Sequence, residues 1–183
     1  MPTRRAAAPD QGAIQSELKQ SVPFHSLGAA ATVGLLRTAS LVDRRLSAVA
    51  EQEGITRQQY NVLRILRGAG TAGLATLAIR DRMIDESPGV TRLVDRLERA
   101  LLVRRIRGSD DRRQVHCVIT TKGLALLTRL DATINELDDV IVGMLSDAEK
   151  TMLIALLDRV RGGAPRRQAR SPASPPGSRG GAR

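Results

Sequence analysis

Residues 71–121 read Thr-Ala-Gly-Leu-Ala-Thr-Leu-Ala-Ile-Arg-Asp-Arg-Met-Ile-Asp-Glu-Ser-Pro-Gly-Val-Thr-Arg-Leu-Val-Asp-Arg-Leu-Glu-Arg-Ala-Leu-Leu-Val-Arg-Arg-Ile-Arg-Gly-Ser-Asp-Asp-Arg-Arg-Gln-Val-His-Cys-Val-Ile-Thr-Thr. Gly68, Gly70 and Gly73 interrupt the chain at its start, and a short helix over about 75–83 follows. Residues 84–86 form a tight connection. Ser87 then suits a helix cap, and Pro88 suits the first helical position, where its missing N–H costs nothing. Val90, Leu93, Val94, Leu97 and Leu101 recur at three- and four-residue steps, which predicts one buried stripe. Two strands, about 102–107 and 114–120, flank the polar loop Gly108-Ser-Asp-Asp-Arg-Arg113.

Outward from this stretch the chain is helical. Leu27, Ala30, Ala31, Gly34, Leu35, Leu41, Val42, Leu46 and Val49 predict a helix over about 26–52, stopped by Gly54. Thr56 caps a second helix to about Leu66, with Tyr60, Leu63 and Leu66 on one stripe. After Thr121, Leu124, Leu127, Leu130, Ile134, Leu137, Ile141 and Leu145 mark a long helix. Ser146 starts the last one, which ends near Arg161 with Leu153, Leu156, Leu157 and Val160 inside.

The organisation is therefore an N-terminal arm over 1–22, a helical domain over 23–161 and a tail over 162–183. The tail holds five arginines, no acid and no large apolar residue, and cannot bury enough surface to offset its ordering entropy. It reads either as a solvated tail or as a non-specific phosphate-binding arm. The formal net charge is +10, and only three of the 29 basic residues are lysines. Such a balance requires an anionic partner, and arginine's planar fork suits phosphates and guanine edges. With Phe24 and Tyr60 the only aromatic residues, stacking-based single-strand binding is excluded. One cysteine, Cys117, rules out an internal disulfide and fits a reducing compartment. No apolar run approaches the roughly 20 residues that span a bilayer, so a cytoplasmic protein without membrane association is expected.

With its stripe inward, the helix after Ser87 points Gly89, Thr91, Arg92, Asp95, Arg96 and Arg99 to solvent. In a helix that enters a major groove, the N-terminal residues meet base edges. Gly89 permits close backbone approach, Thr91 can hydrogen-bond or pack on a thymine methyl, and Arg92 can fork onto guanine. Arg96, one turn on, faces the phosphates. The competing view is an amphipathic surface helix with Arg92/Arg96 and Asp95/Arg99 at four-residue spacing. The hairpin weighs against it. Arg112 and Arg113 sit at an exposed tip beside Asp110 and Asp111, and an arginine there can enter the adjacent minor groove. Residues 87–113 carry eight arginines against four acids. The fold class predicted is mainly α with a small β-hairpin wing. It combines a winged helix-turn-helix lobe over about 55–120 with a dimerisation region of helices over about 26–52 and 121–161.

The chain resembles the MarR family of bacterial transcription regulators. The resemblance rests on Thr56-Arg-Gln-Gln-Tyr-Asn-Val-Leu-Arg-Ile-Leu66, Val90-Thr-Arg-Leu-Val-Asp-Arg-Leu-Glu98, Leu102-Val-Arg-Arg105, Asp110-Asp-Arg-Arg113 and Ile119-Thr-Thr-Lys-Gly123, in this order. It implies a homodimer held by the first and last two helices, bound to double-stranded DNA at a pseudo-palindromic operator. It also implies repression relieved by a small aromatic or anionic effector between the dimer region and the DNA-binding lobe. Carried over residue by residue, recognition-helix contacts fall on Ser87, Pro88, Gly89, Thr91 and Arg92, and the wing pair on Asp111 and Arg113 with Arg112 beside them. The chain departs from the family where Ile84-Asp85-Glu86 fills a turn that often carries glycine; these acids favour the positive N-terminal end of the helix and repel nearby phosphates. It also lacks the first-helix cysteine of the family's redox-sensing branch.

Other chemistry finds no constellation. His116 and Cys117 are adjacent on a strand, so they face opposite ways and cannot share a metal. Asp138 and Asp139 have no histidine near them. No phosphate loop or nucleophile motif is present, so neither catalysis nor a cofactor is expected. Tyr60 and His25 are candidates for an effector cavity, Tyr60 more as a core residue with its hydroxyl at the edge. Two alternatives to an operator-specific regulator remain: an architectural DNA-binding protein with little sequence preference, and a protein-binding winged-helix adaptor.

Overall fold

The computed structural model describes residues 13–85, 89–107 and 115–162. The expectations placed on Glu86, Ser87, Pro88, Asp110, Asp111, Arg112, Arg113 and most of both termini lie outside the described residues. The chain divides into two compact units, one to Ile141 and one from Val142.

Helix α1 (Ile14–Glu17) is a single turn, and Arg37 Nε donates to Glu17 Oε1 at 2.7 Å. Helix α2 (Leu27–Gln52) starts where Ser26 Oγ accepts the Ala29 N–H. Its expected stripe is only half-covered: Ala30 is buried and Leu41, Val42, Leu46 and Val49 are half-buried, while Leu27 and Leu35 are exposed. Helix α3 (Arg57–Ala69) opens with a capping box. Thr56 Oγ1 accepts the Gln59 N–H, and Gln59 Oε1 accepts the Thr56 N–H. It runs three residues past the expected end at Leu66, straight through Gly68, because one glycine costs a helix only about 1 kcal/mol.

A 3-10 turn (Gly70–Ala72) and a two-residue strand β1 (Leu74–Ala75) lead into helix α4 (Thr76–Arg80). Helix α4 is shorter than expected. Arg82 and Met83 donate to Ile79 and Arg80, three residues back, so the last expected turn has tightened out of the α-form. Helix α5 (Val90–Arg99) begins two residues after Pro88; Gly89 is its N-cap, with no side-chain cap bond, as glycine tolerates at that position. Strands β2 (Val103–Arg107) and β3 (Val115–Ile119) pair antiparallel, with Val103 opposite Ile119 and Arg107 opposite Val115. Strand β1 adds to the other side of β3, giving the order β1-β3-β2. Gly73 makes this edge possible. Its φ is +67°, and a Cβ there would lie 2.5 Å from the Cys117 carbonyl oxygen.

The core of the first unit gathers one stripe from each element. Val62, Leu63 and Leu66 of α3, Ile79 of α4, Val94 and Leu97 of α5, Cys117 of β3 and Leu127 of helix α6 (Thr121–Val142) are all fully buried. Each such side chain contributes about 1.5–3 kcal/mol over leaving it in water.

Three further expectations of burial fail. Leu101 is 67% exposed with φ +61°, because the chain reverses there and sends Leu102 inward instead. The Leu102 N–H reaches the Leu97 carbonyl and the Leu101 N–H reaches that of Glu98, a Schellman close. Leu124 of α6 is exposed, its neighbour Leu126 taking the inner position. In the second unit, helix α7 (Asp147–Val160) has a Ser146/Glu149 capping box but no buried residue. Its Leu153, Leu156 and Val160 are exposed, since a stripe is buried only by a surface that covers it. Among the described residues, no helix is long and apolar enough to cross a membrane.

Candidate nucleic-acid interface

Helix α5 lies on the lobe by Val90, Val94 and Leu97, which fixes its azimuth. Thr91, Arg92, Arg96 and Arg99 are thereby exposed and Gly89 half-exposed, as the period predicts. A groove of about 250 Å³ runs along this face between Arg92, Asp95, Arg96 and Arg99. The acids on the same helix are spoken for. Asp95 does not pair with Arg99: its Oδ1 accepts from Arg105 Nη2 of β2 at 2.6 Å. Glu98 takes both Arg105 Nη1 and, at 3.2 Å, the Arg105 backbone N–H. The hydrogen bond to Asp95, with the Glu98 charge beside it, pushes the Arg105 guanidinium above its ordinary value. Among the described residues, Arg92, Arg96 and Arg99 form no ion pair, so three cations face outward while both acids of their helix are held by Arg105.

The far end of α5 is tied down by the Ile119-Thr-Thr-Lys-Gly123 segment. Thr120 Oγ1 donates to the Leu101 carbonyl at 2.8 Å and accepts the Gly123 N–H at 3.1 Å. Lys122 Nζ donates to the Ala100 carbonyl at 3.0 Å. These bonds satisfy carbonyls that a helix C-terminus leaves open, and Lys122 also suits the negative end of the helix dipole. Gly123 allows the approach, since a Cβ there would sit 2.4 Å from the Leu102 carbonyl oxygen.

A second concavity, of about 410 Å³, opens beside α3. Leu46, Ile65, Ile84 and Ile134 supply apolar wall, and Arg57, Tyr60, Asn61, Arg64 and Asp138 supply polar groups. Tyr60 is buried, as expected, with its hydroxyl at the edge, where Arg64 Nη1 donates to it at 3.4 Å. The Arg64 guanidinium also lies 5.8 Å from the ring centroid. Burial pushes the Tyr60 phenol above its ordinary pKa, with Arg64 opposing. His25 is not on this wall. Sequence reasoning missed the other polar members. Asp85, read as a charge for the α5 N-terminus, is instead paired with Arg57, which also meets Asp43 of α2. No local spacing signals this, because 28 residues separate Asp85 from Arg57. His116 and Cys117 do face apart: Cys117 is buried, and His116 Nδ1 lies 3.1 Å from the Ala72 carbonyl oxygen.

Comparison with known proteins converges on one family. The MarR family model matches residues 55–115. The HTH-type transcriptional regulator PecS of Dickeya dadantii (strain 3937) is 36% identical over 128 residues, covering 69% of this chain and 76% of that protein. Among solved structures, a MarR transcription factor from Planctomyces limnophilus is 36% identical, with a TM-score of 0.57 over 75% of this chain and 99% of that one. The S. aureus MepR–DNA complex is 26% identical, with a TM-score of 0.63 over 70% and 94% of the two chains.

Proposed function

This chain belongs to the MarR family, and on that premise we propose that it acts as a homodimeric, ligand-responsive repressor on a pseudo-palindromic operator. It is a transcription regulator, a binding protein rather than an enzyme, working in the cytoplasm. The observation that carries the reading is the outward face of α5: Arg92, Arg96 and Arg99 unopposed, Asp95 and Glu98 held by Arg105. Thr91 and Arg92, with Gly89, meet base edges, and Arg96 meets phosphate. The family resemblance adds Ser87 and Pro88 to the base contacts and gives minor-groove contacts to Asp111, Arg112 and Arg113. Two copies present their α5 helices about 34 Å apart, in successive major grooves.

The dimer reading is supported by apolar side chains left uncovered in a single chain. Leu35 and Leu36 of α2, and Met152, Leu153, Ile154 and Leu156 of α7, are exposed. A soluble monomer rarely leaves such faces open. The cavity of about 410 Å³, apolar with a few convergent polar groups, supports a small aromatic or anionic effector.

The test is a mobility shift on DNA flanking the protein's own gene, with random DNA as competitor. A twofold-symmetric site should win by about a thousandfold or more. Equal competition would establish the architectural alternative instead. Arg92→Ala should weaken the specific shift roughly tenfold or more, the cost of one guanine fork; an unchanged shift would move the reading away from α5.

A further inference from the structure

Three successive carbonyls beyond the end of α5 are taken by the start of α6. Lys122 Nζ donates to Ala100 at 3.0 Å, Thr120 Oγ1 to Leu101 at 2.8 Å and the Thr120 N–H to Leu102 at 3.0 Å. The same Thr120 Oγ1 accepts the Gly123 N–H at 3.1 Å, so one hydroxyl serves both helices. Gly123 in turn lies against the Leu102 carbonyl with no room for a side chain.

The opposite end of α5 is held differently, since Gly89 caps it with no side-chain bond. Val90, Val94 and Leu97 press the helix onto the lobe, but apolar contact has no direction and sets depth rather than angle. Hydrogen bonds are directional and set angle. Arg105 supplies them between α5 and β2, and Thr120 and Lys122 supply them between the end of α5 and α6. The angle matters because α5 is an arm. Its 10 residues make about 15 Å, so a turn of about 10° at the C-terminal end carries Gly89 by roughly 2.5 Å. Twofold symmetry doubles that to roughly 5 Å between two copies, more than the rise of about 3.4 Å per base pair. Helix α6 runs 22 residues from this joint through the region read above as the dimer base. An α5 fixed to α6 is therefore fixed to the twofold axis.

We propose that Thr120 and Lys122 are positioning residues for DNA recognition: their bonds weld the C-terminal end of α5 to the first turn of α6, and so restrict a dimer to one spacing between half-sites. The inference rests on the homodimeric regulator reading above and deepens it. Neither side chain touches DNA in this role, and Lys122 directs its charge to the negative end of α5.

Anisotropy titrations test this on the twofold-symmetric fragment found by mobility shift, on copies with one or two base pairs inserted at its centre, and on a single half-site. The parent should lose about tenfold or more in affinity on insertion, since one set of base contacts is then misplaced. Thr120→Val with Lys122→Met removes both side-chain bonds at nearly constant volume. It should bind the intact fragment about three- to tenfold more weakly, lose less than about threefold on insertion, and bind the half-site like the parent. Thr120→Ser with Lys122→Arg keeps both donors and should restore the parent's spacing preference. Lys122→Met alone, at an exposed site, guards against misfolding: it should relax the preference by a smaller step, with helix content unchanged by circular dichroism. A loosened variant that keeps the parent's preference, or that loses half-site binding as well, overturns the joint and leaves these residues a role in folding alone. A parent without spacing preference overturns the symmetric-operator reading and the joint with it. A parent with that preference leaves the regulator reading standing whatever the variants do.

Discussion

Replacing Arg105 with Ala separates two things that this residue does. It breaks the ion pairs to Asp95 and Glu98, whose side chains are 36% and 38% exposed. At that exposure each pair is worth about 0.5–1 kcal/mol, so stability should fall by about 1–2 kcal/mol. The substitution also bares both carboxylates on the helix proposed to face phosphate. Local charge on the Asp95–Glu98–Arg105 cluster then moves one unit more negative. A unit charge about 7 Å from a phosphate through water costs about 0.6 kcal/mol before salt screening, and roughly half that at physiological salt. Acting on the few phosphates within one screening length, the change should weaken operator binding by on the order of 1 kcal/mol, about fivefold. Fluorescence anisotropy on an operator fragment reads the affinity, and urea denaturation reads the stability. The decisive variant adds Asp95→Asn and Glu98→Gln to Arg105→Ala. It has no charge left to repel DNA, so affinity should return to the parent level or above while stability stays low. A triple variant that binds as weakly as Arg105→Ala would refute the charge argument and make Arg105 only a brace for α5.

Leu101→Gly should raise stability by about 1 kcal/mol in urea denaturation, since glycine relieves the left-handed backbone strain and the exposed side chain buries little. A loss would mean that Leu101 packs on something a single chain does not show. Gly123→Ala should cost about 2–3 kcal/mol, because its methyl meets the Leu102 carbonyl oxygen, part of the backbone, and the buried Ile119 side chain. A melting temperature unchanged from the parent would contradict that close approach. Tyr60 is the sole tyrosine and tryptophan is absent, so absorbance near 295 nm follows this one phenol. It should ionise above the ordinary value of about 10. The raised folded-state pKa leaves stability intact below the unfolded value and removes it as pH climbs towards the folded one. Titration at the free-phenol value would place the ring in water.

What the sequence determined by itself was whatever local chemistry enforces. The Thr56 and Ser146 starts follow from side-chain oxygens within reach of their own backbone, and the Val90, Val94 and Leu97 stripe follows from helical period. Together with the β2–β3 hairpin these made the winged lobe legible, and with it the outward set Thr91, Arg92 and Arg96. The rest was decided by contacts between residues far apart in the chain. Strand β1 is two residues long and exists only because β3 offers it hydrogen bonds. Asp95 could have paired with Arg99 one turn away, but β2 brings Arg105 closer. Asp85 reads locally as a charge for a helix end, until folding sets Arg57 beside it. The leucines of α7 show the same limit from the other side. Periodicity establishes that a face is apolar; which surface covers it depends on three-dimensional neighbours, and burial free energy arises only once they meet.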